Sequence, residues 1–334
     1  MPRVQIWQIT LGLAVSALLL WWVLRGTSLT EVAVELQRAA PGPILLGVVL
    51  GTACFGLRVF RWQVLLRAHN GAELPAGALW HATAIGFMAN NVLPFRAGEL
   101  VRVYAAHRLA GVGFTAALAS VAAERLFDGF TVVVLLAVGL FWAGLPQETQ
   151  VAGITLGHAT TLACLVVLAL SVAAGCFVAW PARGEHVIRA LLPAGRLADR
   201  LAGMLAGLHH GLSALRSPAR ILAAAIWSLL IWTLNALSFY AMYAAFAIDM
   251  SFAGTLLMQG LLMIGISVPS TPGYLGAFEA PIRLTLGFYD VPAAAAASYA
   301  LTYHFSTFLP ITLLGFWSLS RTGLGLGALR RGEP

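Results

Sequence analysis

Two acidic side chains lie within one of the longest apolar segments of the chain. Glu124 and Asp128 are four residues apart, so a helix presents both carboxylates on the same face. Charges within a membrane helix are costly and normally face the interior of a bundle, where they pair with other charged groups. Arg96, Arg102 and Arg125 are the candidate partners. The pattern leaves open whether these residues form a structural ion network or bind a substrate.

Two further segments, 76–102 and 252–288, are apolar but interrupted by proline, glycine and charged residues. Both contain Pro-x-x-x-Gly, followed by a glutamate and then by an arginine three or four residues later. This shared pattern suggests an internal repeat. We define the first tip by Asn90, Asn91, Pro94, Arg96, Gly98, Glu99 and Arg102, and the second tip by Pro269, Pro272, Gly273, Gly276, Glu279 and Arg283.

Proline, glycine and asparagine at membrane depth leave backbone N–H and C=O groups without helical partners. Such backbone is tolerated only inside protein or beside a water-filled cavity, and free N–H groups at the start of a helix favour anions. Each tip is therefore predicted to bind a phosphate or carboxylate, with Arg96, Arg102 or Arg283 supplying a bidentate guanidinium. The alternative interpretation is that each tip is an ordinary loop before a helix that begins with proline.

The composition defines the elements that must position these residues. Of 334 residues, 60% are hydrophobic and 10% are charged, and the mean hydropathy is +0.85, whereas an average soluble domain is about 25% charged. This balance excludes a soluble globular enzyme, a disordered chain and a nucleic-acid-binding domain. Apolar segments of about 20 residues or more, each long enough to cross a bilayer, occupy 4–24, 43–66, 114–143, 156–180, 219–247 and 294–319.

The arginines predict the orientation, because cytoplasmic loops of membrane proteins collect basic residues. With this orientation, segment 76–102 enters and leaves the bilayer on the cytoplasmic side. Segment 252–288 enters and leaves it on the outer side. The predicted fold is an all-α polytopic membrane protein with six crossings, two opposed re-entrant helical hairpins and an inverted repeat. Sixteen of the 20 arginines lie in segments that we assign to the cytoplasmic side, which also holds both termini: the N-terminus, 58–75, 96–113, 181–220 and 321–334.

The chain is predicted to form one transmembrane domain over 1–334, with a first half at 1–180, a linker at 181–218 and a second half at 219–320. Leucines recur in the linker every three or four residues, opposite arginines, which is typical of an amphipathic helix. That helix either lies in the inner headgroup layer or packs on the cytoplasmic ends of the bundle.

Other polar and small residues within the apolar segments carry weaker signals. Tyr303 and His304 lie together in the last crossing, where they either bond across helices or contact a ligand. Gly47-x-x-x-Gly51 is predicted to be a helix-packing motif. The sequence contains no H-E-x-x-H, no G-x-x-x-x-G-K-[ST] and no G-x-S-x-G motif. We therefore predict no metal, no cofactor and no catalytic residue.

Three motifs, in this order, resemble the lysylphosphatidylglycerol synthase transmembrane (flippase-like) family: Asn91 to Glu99 with Arg102, Glu124-Arg125-x-x-Asp128, and Pro269-x-x-Pro272-Gly273-x-x-Gly276-x-Phe278-Glu279. The resemblance spans nearly the whole chain. It implies crossing and re-entrant helices that move a lipid headgroup between leaflets. The family includes the membrane half of the multiple peptide resistance factor, whose cytoplasmic domain transfers an amino acid to phosphatidylglycerol. This chain ends at Pro334 without that domain, so we expect no aminoacyl-transferase activity.

We therefore expect a lipid transporter or flippase of the bacterial inner membrane. In this hypothesis Arg96, Arg102 and Arg283 contact an anionic headgroup in a polar cavity between the tips. The acids pair with these arginines, or bind a proton or an ammonium group: Glu99, Glu124, Asp128 and Glu279. The candidate lipids are a phospholipid, an aminoacylated lipid, a polyprenyl-linked glycolipid and a hopanoid. No nucleic-acid partner is expected, and the sequence leaves open whether the protein forms a homo-oligomer.

Two alternatives from other functional classes remain open. One is an intramembrane enzyme that modifies a lipid-linked substrate, with Glu124 and Asp128 as acid and base. The other is a non-transporting partner of a lipid-biosynthesis complex. An assay in liposomes that contain a single lipid distinguishes the enzyme from a flippase. A flippase changes the leaflet in which the lipid lies, whereas an enzyme changes the chemistry of the lipid.

Overall fold

The computed structural model describes residues 3–67, 71–93, 96–146, 148–151, 153–179, 217–267 and 271–324. Two of the predicted tip residues, Pro94 and Pro269, lie outside the described residues. The predicted amphipathic helix of the linker also lies outside the described residues. Of the linker, the structure describes only the last two residues, 217 and 218.

The described residues form an all-α protein, as predicted. After the sixth helix, two strands of two residues each form an antiparallel hairpin: β1 (Gln150–Val151) and β2 (Ile154–Thr155). The α-helices of the described part are α1 (Arg3–Leu24), α2 (Leu29–Arg38), α3 (Pro41–Leu65), α4 (Ala76–Val92), α5 (Gly98–Ala110), α6 (Phe114–Trp142), α7 (Leu156–Ala179), α8 (Pro218–Tyr243), α9 (Phe252–Gly265), α10 (Glu279–Gly287) and α11 (Ala293–Thr322).

Local sequence explains where several helices begin and end. Ser28 accepts a hydrogen bond from the Glu31 N–H while the Glu31 carboxylate accepts one from the Ser28 N–H, which forms a capping box at the start of α2. Gly111 and Gly323 end α5 and α11 in the left-handed conformation, with φ of 66° and 65°. Residues 29–38 lie outside the predicted crossings and hairpins, so α2 is an addition to the predicted fold.

Helices occupy all six predicted crossings. Within the described residues, α3, α6 and the segment Pro218–Phe246 are long and apolar enough to cross a membrane. A fourth span results if Gly12–Leu24 and Leu29–Arg38, which are bent by 71°, are counted as one. Large apolar side chains cover the outer surfaces of these helices, with Leu45, Leu126 and Leu222 more than 60% exposed. This exposure fits contact with lipid, since soluble monomers rarely expose large contiguous apolar patches.

The order of long and short helices occurs twice. A long helix, two short helices that form a hairpin, and a second long helix make up α3–α6, and the same order recurs in α8–α11. The packing repeats as well: the first hairpin packs its α4 on α11, and the second packs its α9 on α6. The first long helices of the two units, α3 and α8, pack on each other. Each hairpin is thereby held against the last helix of the other unit.

The contact between α3 and α8 depends on small residues. A Cβ added to Gly47 would lie 2.8 Å from the Met242 Cε and 3.1 Å from the Ser238 carbonyl oxygen. A Cβ added to Gly51 would lie 3.1 Å from the Ser238 hydroxyl. The predicted packing role of the Gly47-x-x-x-Gly51 motif is confirmed, because a side chain at either position would crowd α8.

Candidate functional site

A cavity of about 510 Å³ lies between the loops that close the two hairpins. Residues of α3, α6, α8 and α11 complete its walls, and Phe87, Trp232, Phe278 and Phe308 supply much of its apolar lining. Its fixed charges come from Arg58, Arg96, Glu99, Arg102, Arg125 and Asp128. Four guanidinium groups therefore face two carboxylates, which leaves an excess of two positive charges in the lining.

The two acids of α6 belong to one buried ion network. The Arg61 Nη1 donates to the Asp128 Oδ1 at 2.5 Å and to the Ser228 hydroxyl at 2.8 Å, and its Nη2 lies 3.3 Å from the Asp128 Oδ2. The Arg61 Nε lies 3.8 Å from Glu124. Since Arg61 and Glu124 are fully buried, this part of the network joins α3, α6 and α8 behind the cavity.

The first hairpin joins the same network through Arg102. Its Nη1 donates to the Glu124 Oε2 at 2.5 Å, and its Nη2 lies 3.3 Å from the Oε1. The guanidinium lies 3.6 Å from the ring centroid of Trp62, whose indole N–H donates to the Ser120 hydroxyl at 2.9 Å. Arg102 lines the cavity, but both oxygens of its partner are engaged, so its main role is to hold the hairpin against α6.

The remaining contacts of Asp128 lie at the cavity surface. The Trp232 indole N–H donates to its Oδ1 at 2.9 Å, while Arg58 and Arg125 lie 3.7 and 3.5 Å from its Oδ2. Arg125 also lies 3.4 Å from the Glu99 carboxylate. Asp128 is thus shared by Arg58, Arg61 and Arg125, whereas Glu99 pairs with Arg125. Among the described residues, Arg58 therefore has no carboxylate that it does not share with other arginines.

Arg96 differs from the other arginines of the cavity. Its Nη2 donates to the Ile266 carbonyl at 2.9 Å, across the gap between the two tips, and its guanidinium lies 5.8 Å from the Tyr274 ring centroid. None of the described carboxylates forms an ion pair with it. Arg96 has a φ of 52°, in the left-handed region that non-glycine residues rarely adopt. The first tip therefore carries an exposed guanidinium whose charge no described carboxylate balances.

The two tips meet, as the sequence predicts. A Cβ added to Gly273 would lie 3.7 Å from the Asn91 carbonyl oxygen, and the Asn91 amide donates to the Thr312 hydroxyl of α11 at 2.8 Å. Asn90 also lines the cavity, and its Oδ1 is buried without a hydrogen-bond partner in the described structure. Both asparagines of the first tip therefore lie where the two hairpins face each other.

The second tip is shaped by two glycines and one carboxylate. Pro272 opens a 3-10 turn, and Gly273 and Gly276 adopt left-handed φ angles of 77° and 81°. The Glu279 Oε2 accepts the Gly276 N–H at 2.7 Å, and its Oε1 lies 2.6 Å from the His304 Nδ1. Glu279 was predicted to pair with an arginine, or to bind a proton or an ammonium group. Its partner in the structure is His304, because α11 and not an arginine packs beside the start of α10.

The contacts of two predicted site residues, Gly98 and Arg283, indicate a role in holding helices together. Gly98 packs against Gly86 of α4, and a Cβ added to Gly98 would lie 2.5 Å from the Asn90 backbone nitrogen. Arg283 does not line the cavity; it donates to the carbonyl groups of Trp22, Val23 and Arg25 at the end of α1. Arg283 therefore caps α1, so the geometry gives it no place beside a ligand in the cavity.

Three residues that contact Asp128 were not predicted from the sequence: Arg58, Arg61 and Trp232. Arg58 and Arg61 were assigned to a cytoplasmic loop, although both lie within the predicted crossing 43–66, and their spacing of three places them on one helix face. That position was the signal that could have identified them, because charges inside a crossing face the bundle interior. Trp232, whose indole N–H reaches Asp128, carried no comparable signal.

Several known proteins are similar in sequence to this chain. The chain is 27% identical to "Glycosyltransferase AglD" of Haloferax volcanii over 303 residues, which cover 82% of this chain and 48% of that protein. The chain thus spans about half the length of this relative. Two proteins of Methanothermobacter thermautotrophicus, each named "UPF0104 membrane protein", are 23% identical and align with 88% and 81% of this chain and with 87% and 81% of their own lengths.

A family model covers most of the chain. The model described as "Lysylphosphatidylglycerol synthase TM region" matches residues 9–315. This range contains every residue that lines the cavity, from Arg58 to Ile311. The chain belongs to the lysylphosphatidylglycerol synthase TM region family.

Proposed function

We propose that this protein binds the anionic headgroup of a lipid in the cavity between the two tips and carries it from one leaflet to the other. The single observation that carries the proposal is the excess of two positive charges in the cavity lining. Arg96 contributes most directly, because no described carboxylate pairs with it. A phosphate or carboxylate in the cavity supplies the missing negative charge.

The chemistry of guanidinium favours a phosphate. Its planar fork donates two parallel hydrogen bonds to a phosphate or carboxylate, and such charge-assisted bonds are about twice as strong as neutral ones. Unpaired charge at membrane depth is unfavourable, so a headgroup that neutralises Arg96 and Arg58 stabilises the open cavity. Among the candidate lipids, the phospholipid and the polyprenyl-phosphate glycolipid meet this requirement, whereas a hopanoid without an anionic group does not.

The size of the cavity fits a headgroup rather than a whole lipid. A volume of about 510 Å³ lies within the range of about 300–1,000 Å³ typical of small-molecule sites. The acyl or prenyl chains remain in the bilayer in this proposal. Exposed leucines on α3, α6 and α8 provide an apolar surface beside which such chains can lie.

Movement between leaflets follows from the repeated units. Inverted-repeat transporters place their sites where discontinuous helices of two opposed units meet, and rocking of one unit against the other exposes the site to each side in turn. We infer that α3–α6 and α8–α11 are two such units and that both hairpins are re-entrant. The Arg96 bond to the Ile266 carbonyl is then a contact between the units that a bound headgroup replaces.

The orientation is part of the same proposal. The arginine-rich segments lie on the cytoplasmic side of the inner membrane, with both termini inside. The enzyme alternative has less support from the geometry, because Asp128 and Glu124 have their oxygens bound by Arg61, Arg102 and Trp232. Neither carboxylate has an oxygen left free to act as acid or base on a lipid.

A proteoliposome experiment tests the proposal. Vesicles that contain the protein and fluorescently labelled phosphatidylglycerol are treated with dithionite, which bleaches only the outer leaflet. We expect the wild type to bleach more than half of the label and Arg96→Ala to behave as empty vesicles. Arg321→Ala, at an exposed position outside the cavity, is the matched control and should behave as wild type.

The other outcomes identify the alternatives. If wild-type vesicles bleach no more label than empty ones, the transport proposal is wrong. A chemically altered lipid recovered from the vesicles would indicate an enzyme. If Arg96→Ala transports normally, the cavity is not the headgroup site.

A further inference from the structure

The second hairpin is attached to α11 by a pair of buried ionisable side chains. The Glu279 Oε1 and the His304 Nδ1 are 2.6 Å apart. Glu279 has no exposed surface and His304 is 5% exposed, yet His304 borders the cavity. The pair therefore lies at the boundary between the protein interior and the proposed headgroup site.

This contact has a counterpart in the first unit. There Arg102, near the start of α5, bonds Glu124, ten residues after the first residue of α6. In the second unit Glu279, at the start of α10, bonds His304, eleven residues after the first residue of α11. Both hairpins are thus fixed to the following long helix at the same depth. The first contact pairs a carboxylate with a guanidinium, whereas the second pairs a carboxylate with an imidazole, a ring that is either neutral or cationic.

The Glu279 carboxylate also shapes the second tip. Its Oε2 accepts the N–H of Gly276, where the backbone is left-handed. The Phe278 ring is stacked on the His304 ring, with centroids 4.2 Å apart and planes at 16°. A proton gained or lost by the pair therefore changes the balance of charge directly beneath the tip that faces Arg96 and Asn91.

Several of the elements that surround the cavity contribute further charged or titratable groups near the pair. Tyr303, next to His304 on α11, hydrogen-bonds the Ser238 hydroxyl of α8 at 3.0 Å. Tyr274 lies in the second tip, and the remaining groups are the charged lining residues Arg58, Arg96, Glu99, Arg102, Arg125 and Asp128. The arginines among them hold their charge at any physiological pH. His304 contributes to this lining an imidazole whose second ring nitrogen can bind a proton.

We propose that Glu279 and His304 form a proton-binding site that couples proton movement to movement of the lipid headgroup; this rests on the proposed function. A proton from water on one side binds the imidazole nitrogen that does not contact Glu279, and it is released to water on the other side after the units have rocked. No bond between heavy atoms forms or breaks. The protonated pair is an ion pair that holds the tip, and the deprotonated pair leaves a buried carboxylate without a counter-charge and loosens the tip.

Proteoliposomes with an imposed pH gradient test this proposal. The vesicles contain labelled phosphatidylglycerol. After equilibrium is reached, the vesicles are chilled to stop transport, and the fraction of label protected from a brief dithionite pulse is measured. If one proton moves with each lipid, a gradient of one pH unit shifts the leaflet distribution about tenfold, because both correspond to the same free energy. Reversing the gradient reverses the shift. A pH dye inside the same vesicles reports proton movement that accompanies the lipid.

Three variants separate coupling from folding and from transport itself. His304→Gln and Glu279→Gln should abolish the response to the gradient, and size-exclusion chromatography checks that both variants are monodisperse. His304→Arg replaces the imidazole with a permanently charged group that can pair with Glu279, as Arg102 pairs with Glu124, so it should also show no response to the gradient. His158→Gln is the control, since His158 is at an exposed position and contacts Thr155 near the start of α7.

Each other result overturns the proposal in a distinguishable way. Wild-type transport that ignores the gradient would refute coupling and leave the proposed function standing. A gradient response retained by both His304→Gln and Glu279→Gln would show that the proton binds elsewhere. Absence of any lipid movement in the wild type would refute the proposed function, and the coupling inference with it.

Discussion

Arg61 of α3 and Asp128 of α6 form a two-point ion pair inside the bundle, with N–O distances of 2.5 and 3.3 Å. Arg61 has no exposed surface, and Asp128 is 5% exposed. Glu124 lies on the other side of the same guanidinium, 3.8 Å from its Nε. One buried arginine therefore serves both acids of α6, and it separates them from each other.

Removal of this arginine should cost much stability. Arg61→Ala removes the closest guanidinium from Asp128, which keeps only the longer contacts to Arg58 and Arg125 at 3.7 and 3.5 Å. Because breaking a buried pair is strongly destabilising, we expect the free energy of unfolding in detergent to fall by about 3–5 kcal/mol. Arg67→Ala is the control, because Arg67 pairs at 2.8 Å with Glu73, whose side chain is 73% exposed, and such surface pairs contribute about 0–1 kcal/mol. Similar losses in the two variants would contradict the central place of Arg61.

A single methyl group should separate the helices of the first hairpin. Gly98→Ala places a Cβ against the Gly86 carbonyl and 2.5 Å from the Asn90 backbone nitrogen, so we expect the protein to lose about 1–3 kcal/mol of stability. The same change at Gly56, within α3, meets no atom within 4 Å. Gly56→Ala should instead stabilise by about 0.5–1 kcal/mol, since alanine favours the helix. Thermal unfolding of both variants measures these changes in stability. If Gly98→Ala were as stable as the wild type, the close contact between the helices would be refuted.

Arg283 should matter for α1 and not for the cavity. Arg283→Ala frees the carbonyl groups of Trp22, Val23 and Arg25, so limited proteolysis near residues 25–28 should become faster while lipid binding is retained. Arg25→Ala is the control, because it keeps the backbone oxygen that Arg283 contacts. If Arg283→Ala lost lipid binding and left the proteolysis rate unchanged, Arg283 would be a ligand of the headgroup, as the sequence alone had suggested.

The sequence predicts the class of fold and much of the site. Hydrophobic runs and broken segments give the long helices and both hairpins, because backbone interruptions and apolar length are local properties. The spacing of Glu124 and Asp128 places them correctly on one inward face, and both carboxylates are bound by arginines. The two tips also lie together, as the repeated pattern predicts.

Ion-pair partners could not be read from the sequence, because they depend on which helices pack together. Arg61 reaches Asp128 only because α3 packs near α6 and α8. Glu279 contacts His304 and Arg283 caps α1, although both residues fit the same motif as Glu99 and Arg102. The capping box of α2 was a local signal that was overlooked.

Native mass spectrometry with lipid identification tests the central claim most directly, namely that the cavity binds an anionic headgroup. The gently extracted wild type should retain one class of anionic lipid. Arg96→Ala should lose it, and Arg321→Ala should keep it. Equal and unselective lipid in the wild type and Arg96→Ala would contradict the claim and favour a protein that assists a lipid-biosynthesis complex without transporting a lipid.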